Sequence, residues 1–455
     1  MSSWFRGLAA AVCLLVLLPA SAGAAAAAQD PLRWLADYVR FDTTNPPGNE
    51  AVAVRHLARI LHRHGVATRT FYTADGRASL YARLEGKSDE DGLLLLHHVD
   101  VVPAGEGWSR DPFSGEVVDG ELWGRGAIDA KSLGIAHLAA FLDLADSDVE
   151  LERDVAFLAV ADEESGGGQG TAWLLDNHPE LFLGLGAALN EGGNNKVANG
   201  WIIWWGVETA QKRPMWLEVR ARGRAGHASG LNPGNAVHAL VEGLDRVLAL
   251  PREYRVTAPV RRYLAALAPL HEGAQRRNYA DPDAWIGPEG PRGPIMPGQA
   301  NLFLDGLQVT QLDAGERINV VPPVATARID ARLLPDTDAE AFVERLRQAL
   351  GPRLEVEVLL TSPAAPASPV DHPLYRAAAE VFAEEGDVVP SFISGFTDSR
   401  YLRDRGIATY GVSPFLVEPQ LLRGIHGPDE RIEVEDFRAG VERMKRIVRA
   451  YATDR

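Results

Sequence analysis

A chain of 455 residues with 46% hydrophobic and 24% charged residues is long enough for at least two globular units, and this composition excludes disordered and fibrous classes. The formal charge of −16, with no dense Lys/Arg block to offset it, repels polyanions and makes nucleic acid a poor partner.

The first element is an expected secretory signal peptide over residues 1–28. It carries one charge, Arg6, then an apolar run over residues 8–18, then Pro19 and small residues that offer A-x-A cleavage choices. So short an apolar core favours cleavage over a retained anchor, and the chain is expected to be exported, either periplasmic or secreted. The only cysteine, Cys13, leaves with the signal, so no disulfide, thiol nucleophile or sulfur ligand remains. Loss of Arg6 takes the charge from −16 to −17. No other stretch approaches the ~20 apolar residues that span a bilayer.

Short apolar strands then alternate with amphipathic helices, the pattern of an α/β fold with a mainly parallel sheet. Residues 93–96 and 155–160 are continuous apolar runs, as strands covered on both faces should be. Sites in such sheets form beyond the carboxyl ends of the strands. From about Trp216 the texture changes. Residues 216–221 read as a strand, 235–250 have helical apolar spacing, and 324–333 alternate strictly, with Ala325, Ala327, Ile329, Ala331 and Leu333 on one face. The expected organisation is a catalytic domain over 29–208 and 336–455, with a smaller inserted α+β lid or dimerisation domain over 209–335. The α/β pattern is expected to resume with a helix over 339–350. Trp201, Trp204 and Trp205 are expected to pack in a strand core.

Several strand ends carry residues suited to metal chemistry. His98-Val99-Asp100 places an imidazole and a carboxylate two residues apart, so Asp100 is expected to orient the His98 ring. A lone H-x-D also occurs as a strand-end histidine satisfied by a local carboxylate. The adjacent His97 falls on the opposite strand face from Asp100. A glycine-bracketed turn delivers Asp129 before a helix, where it reads either as an ordinary cap or as a carboxylate shared by two cations. Asp162-Glu163-Glu164 follow a fully apolar strand and precede three glycines, a place where one carboxylate can be a ligand and the next a base. Glu191 ends another strand, and His426 lies near the C-terminus.

The order of LLLLHHVDVVP, GELWGRGAIDAK, AVADEESGGGQG, ALNEGG, GRAGHAS, INVVPPVATARIDARLLP, SGFTDSR and IHGPDE resembles one family from about Asp42 onward. It is the family of co-catalytic dinuclear zinc metallopeptidases that includes aminoacylase, carboxypeptidase S, acetylornithine deacetylase and succinyl-diaminopimelate desuccinylase. The wording is nearest the branch of carboxypeptidase S and the secreted N-fatty-acyl-amino-acid synthase/hydrolases. The resemblance implies two Zn2+ ions, one on His98, Asp129 and Glu191 and the other on Asp129, Glu164 and His426, with Co2+ or Mn2+ as substitutes. It further implies Glu163 as general base and His227 as an oxyanion donor reaching the site, often from a partner subunit. Asn319, Arg332 and the loop from Gly395 would hold substrate, with Arg332 gripping a carboxylate. Arg332 also reads as a solvated strand-face charge beside Arg328 and Asp330.

The expected activity is hydrolysis of an amide or peptide bond next to a free carboxylate, in a small peptide or N-acyl amino acid, by a chain that pairs through its lid. A non-catalytic binding module and a free aminopeptidase are the rival readings.

Overall fold

Apolar runs with no polar face build the centre of the larger sheet in this computed structural model, which describes residues 30–295 and 298–453. The expected signal segment lies outside the described residues. The strand order is Arg69–Tyr72, Ala78–Leu84, Arg153–Val160, Ser88–His98, Leu185–Asn190, Ala408–Gly411, Trp201–Gln211 and Asp387–Ile393, with Lys196–Ala198 beside Trp201–Gln211. The four strands from Arg153–Val160 to Ala408–Gly411 are mutually parallel. The last two strands also pair in parallel, and antiparallel pairings join the remaining strands.

Alternation sends Leu93, Leu95, Val155 and Phe157 to one face of the sheet, and Leu94, Leu96, Ala156 and Leu158 to the other. The first face receives the helix Lys131–Ala145, which is apolar around nearly its whole circumference and buried between the sheet and the helix Val434–Thr453. Because the central strands are parallel, Ser88–His98, Arg153–Val160 and Leu185–Asn190 all end at the same edge. That edge carries the polar residues described below.

A second, four-stranded antiparallel sheet has the order Gly306–Ala314, Val324–Leu333, Arg213–Arg222, Leu354–Thr361. The alternating residues Ala325, Ala327, Ile329, Ala331 and Leu333 are buried under two helices, Ala236–Leu248 and Ala339–Leu350. Asn235 caps the first of these by accepting from the Val237 and His238 backbone N–H groups. The smaller unit therefore runs past residue 335. Phe342, Val343, Leu346 and Leu350 share its core, so the helix over 339–350 completes the lid and does not resume the larger sheet.

Part of the segment expected in the lid packs elsewhere. Val260, Leu264, Tyr279, Trp285 and Phe303 cover Ala210, Val389 and Phe392 at the edge of the larger sheet. The tryptophans divide: Trp205 is buried and stacked on Phe382 at 4.5 Å, whereas Trp201, at the start of its strand after the Asn199-Gly200 turn, is 76% exposed. No described helix is long and apolar enough to cross a membrane.

Candidate active site

His98 ends its strand with its ring buried, and its Nδ1 lies 2.8 Å from the Asp100 carbonyl oxygen. A proton on Nδ1 donated to that carbonyl leaves Nε2 as a lone-pair donor facing the cluster. This differs from the expected pairing with the Asp100 carboxylate, whose Oδ1 stands 3.8 Å away. The strand ends at His98, so strict side-chain alternation no longer applies at Asp100. Its carboxylate instead accepts from the Glu163 and Glu164 backbone N–H groups, at 3.2 and 3.1 Å, and from Asn45 Nδ2 at 2.8 Å. Asp100 thus fixes the turn that carries the two glutamates. His97 points through the opposite face, with Nε2 3.3 Å from the Tyr38 hydroxyl and its ring against Phe157 and His137.

Glu163 and Glu164 lie on the short 3-10 turn Glu163–Ser165. Before them Asp162 takes the left-handed conformation, φ 73°, and its carboxylate accepts from Arg77 Nη1 at 2.7 Å and Gln169 N at 2.8 Å. Asp129 reaches both histidines: Oδ1 lies 3.1 Å from His98 Nε2, and Oδ2 lies 3.3 Å from His426 Nε2. Glu164 is 3.3 Å from His426 Nε2, and Glu191 is 3.7 Å from His98 Nε2. The structure therefore brings together all six: His98, Asp129, Glu163, Glu164, Glu191 and His426. The tightest groupings, with donor atoms within 4.8 Å of one another, are His98–Asp129–Glu164 and His98–Glu163–Glu191. The first joins members of the two expected ligand sets, and the second adds the expected base, Glu163, to His98 and Glu191 of one set.

The cluster demands positive charge. Burial pushes the Glu163 carboxyl well above the usual range, and Glu191, Asp398 and Glu164 push it further while His98 opposes them. Burial likewise lifts Glu191 to about 7 against the pull of His98. His98 is held well above its ordinary value despite burial by Glu191 and Asp129, and His426 is raised to about 10 by Asp129 and Glu164. Among the described residues no Lys or Arg forms an ion pair with Asp129, Glu163, Glu164 or Glu191. Glu163 Oε1 is buried with no hydrogen-bond partner. Imidazole nitrogen and carboxylate oxygen converging with no Lys or Arg paired to them fit divalent metal ions, which would replace the protons on the two histidines.

The lid residues stand apart. His227 and Asn319 are exposed on or beside the ribbon formed by Gly226–His227 and Val320–Val321; His227 Nδ1 bonds Ser229 Oγ at 2.8 Å, and neither residue enters the cluster. Arg332 lies over the Phe396 ring at 4.5 Å, but its fork is occupied by Asp330, with Nε and Nη2 2.8 and 2.7 Å from the two carboxylate oxygens. Gly395 is exposed with open space beside its Cα.

Sequence reasoning missed three supports. Asn45 holds Asp100; Asp398 lies beside the Glu163 turn, with Oδ2 accepting from Thr171 Oγ1 at 2.6 Å and Oδ1 unpartnered; Glu430 and Arg125 pair beneath Asp129. The motifs SGFTDSR, GRGAIDAK and IHGPDE contain Asp398, Arg125 and Glu430, so the available signal was charged residues inside glycine-containing turns.

A mainly parallel sheet with a carboxylate–histidine cluster at its strand ends, and an antiparallel lid inserted in the chain, defines a metal-dependent hydrolytic enzyme. The chain belongs to Peptidase family M20/M25/M40, which matches residues 94–450. It is 28% identical to human Aminoacylase-1 over 426 residues, covering 91% of this chain and 94% of that one. It is 27% identical over 383 residues to the Bos taurus N-fatty-acyl-amino acid synthase/hydrolase, covering 79% and 74%. Among solved structures, a metallo-carboxypeptidase of this family from Sulfolobus solfataricus superposes with TM-score 0.70 at 18% identity, covering 93% and 99%.

Proposed function

We propose that the chain is an exported N-acyl-amino-acid amidohydrolase that works with two zinc ions. The observation that carries this reading is Glu163, a buried carboxylate with an unpartnered oxygen set among metal-type donors. His98, Asp129 and Glu191 would hold one ion, and Asp129, Glu164 and His426 the other. Bound there, the ions supply Lewis acidity that polarises the amide carbonyl and lowers the pKa of water. Glu163 takes a proton from water as the water oxygen adds to the carbonyl carbon, then passes it to the leaving nitrogen as the C–N bond breaks. The products are a carboxylic acid and a free amino acid.

The acyl preference is supported by a cavity of about 260 Å³ beside Asp129 and Glu191, walled by Ile128, Leu133, Val412, Phe415, Val417 and Ile425. Asn194 and Asn195 also line it, but their side-chain amides already donate to the Tyr263 hydroxyl and to the Ser413 and Phe415 carbonyls. The wall thus favours an apolar group over a polar one. Resemblance to aminoacylases points the same way. The test is a panel of N-acyl amino acids, their C-terminal amides and dipeptides, assayed with zinc-loaded protein. N-acyl amino acids with apolar acyl groups are expected to be the best substrates. Arg332→Ala is expected to raise KM about tenfold or more for free carboxylates and to change little for the amides. Preference for dipeptides would overturn the acyl assignment, and turnover of nothing in the panel would return the chain to a binding role.

Because His227 is exposed and outside its own cluster, we place it in the site of a second copy. His227→Ala is expected to lower turnover by roughly 10²–10³-fold. Mixing it with a Glu163→Gln protein under subunit-exchange conditions should restore activity, since one site of the hybrid regains both groups. A mixed dimer that forms and stays inactive would refute the arrangement.

A further inference from the structure

Glu430 is fully buried and takes no part in the steps above. Its carboxylate has both oxygens doubly occupied. Oε1 accepts from the Ile128 and Asp129 backbone N–H groups at 2.8 and 3.0 Å, and Oε2 accepts from Gly126 N at 2.9 Å and Arg125 Nη1 at 2.7 Å. Three backbone donors of one turn therefore converge on a side chain that lies some 300 residues further along the chain. Arg125 in turn donates to the Gly424 and Gly427 carbonyls, at 3.2 and 2.8 Å, which bracket His426. The arginine is as buried as its partner.

We infer that Glu430 is the positioning residue that presents Asp129, the carboxylate shared by both ions, and that Arg125, paired with it, ties the His426 turn of one ion to the Asp129 turn. This rests on the proposed two-ion reading. A backbone bent by Gly124 and Gly126, with φ of 148° and 87°, has little rigidity of its own. A carboxylate that takes up its N–H groups supplies it. Glutamine cannot replace this group, because its amide would aim N–H at two N–H donors.

The test is zinc titration of the metal-stripped, full-length protein against a competing chelator. Glu430→Gln is expected to bind both ions about 10–100-fold more weakly, with an unchanged far-UV spectrum and an altered visible absorption of bound Co2+. A folded Glu430→Gln protein that takes both ions with wild-type affinity would overturn the positioning role. Arg125→Lys keeps a cation beside Glu430 but cannot reach both carbonyls, and it serves also if Glu430→Gln fails to fold. It is expected to weaken only one ion, the one beside His426. Weakening neither, or both equally, would overturn the locking of the two turns. A wild-type chain that takes up no zinc would instead overturn the two-ion reading.

Discussion

Glu163→Gln should keep its metal and lose about 10²–10⁴-fold in turnover. Glutamine has nearly the volume of glutamate, and Glu163 Oε1 makes no hydrogen bond that the exchange would break. An amide nitrogen, however, cannot take the proton of water. The same exchange removes one of several crowded carboxylates, since Glu191, Asp398 and Glu164 all act against the charge on Glu163. The metal-free variant should therefore unfold at a higher temperature than metal-free wild type. Activity, metal content and thermal unfolding measured on one preparation separate the possibilities. Near-normal turnover at full metal content would remove Glu163 as the base. A drop in metal content to match the drop in rate would make it a ligand, as its closeness to His98 and Glu191 allows.

The second large effect separates the two adjacent histidines. His98→Ala removes the nitrogen on which Asp129 and Glu191 converge, and metal affinity should fall by more than the ~10–100-fold that loss of an outer partner costs. Activity should go with it. His97→Ala lies on the other face, packed so closely on the helix Lys131–Ala145 that a Cβ on Gly134 would meet its ring at 2.2 Å. It leaves a cavity and orphans the Tyr38 hydroxyl, so it should cost about 3 kcal/mol of stability. Its metal content should stay at the wild-type level. Equal metal loss in both variants would show that His97 supports the site through the strand.

Much of this arrangement is legible in the sequence because the signals are local. His98, Glu163 and Glu191 each follow an apolar run, and parallel strands carry such run ends to one edge. Asp129 stands in a glycine-rich turn. What stays hidden is pairing between distant segments. Asn45 meets Asp100, and Arg125 meets Glu430, across intervals that leave no periodic trace. The helix Ala339–Leu350 has an apolar stripe that would suit either sheet, so its sequence could not say which one it covers. Asp100 misleads for a different reason: a two-residue spacing implies a shared face only while the strand continues, and this strand stops at His98.

The lock between Arg125 and Glu430 also has a consequence for how the protein is made. The ribosome releases the segment with His98, Asp129, Glu163, Glu164 and Glu191 first, and then must add the whole lid sheet, from Arg213–Arg222 to Leu354–Thr361, before His426 and Glu430 appear. N-terminal units tend to fold as they emerge, so a nascent chain would carry a crowd of carboxylates with neither their second imidazole nor the strut beneath Asp129. Metal captured at that stage would sit in half a site and exchange freely. Maturation of the centre is thereby tied to completion of the polypeptide, and a chain stalled before residue 426 should emerge without stably bound metal.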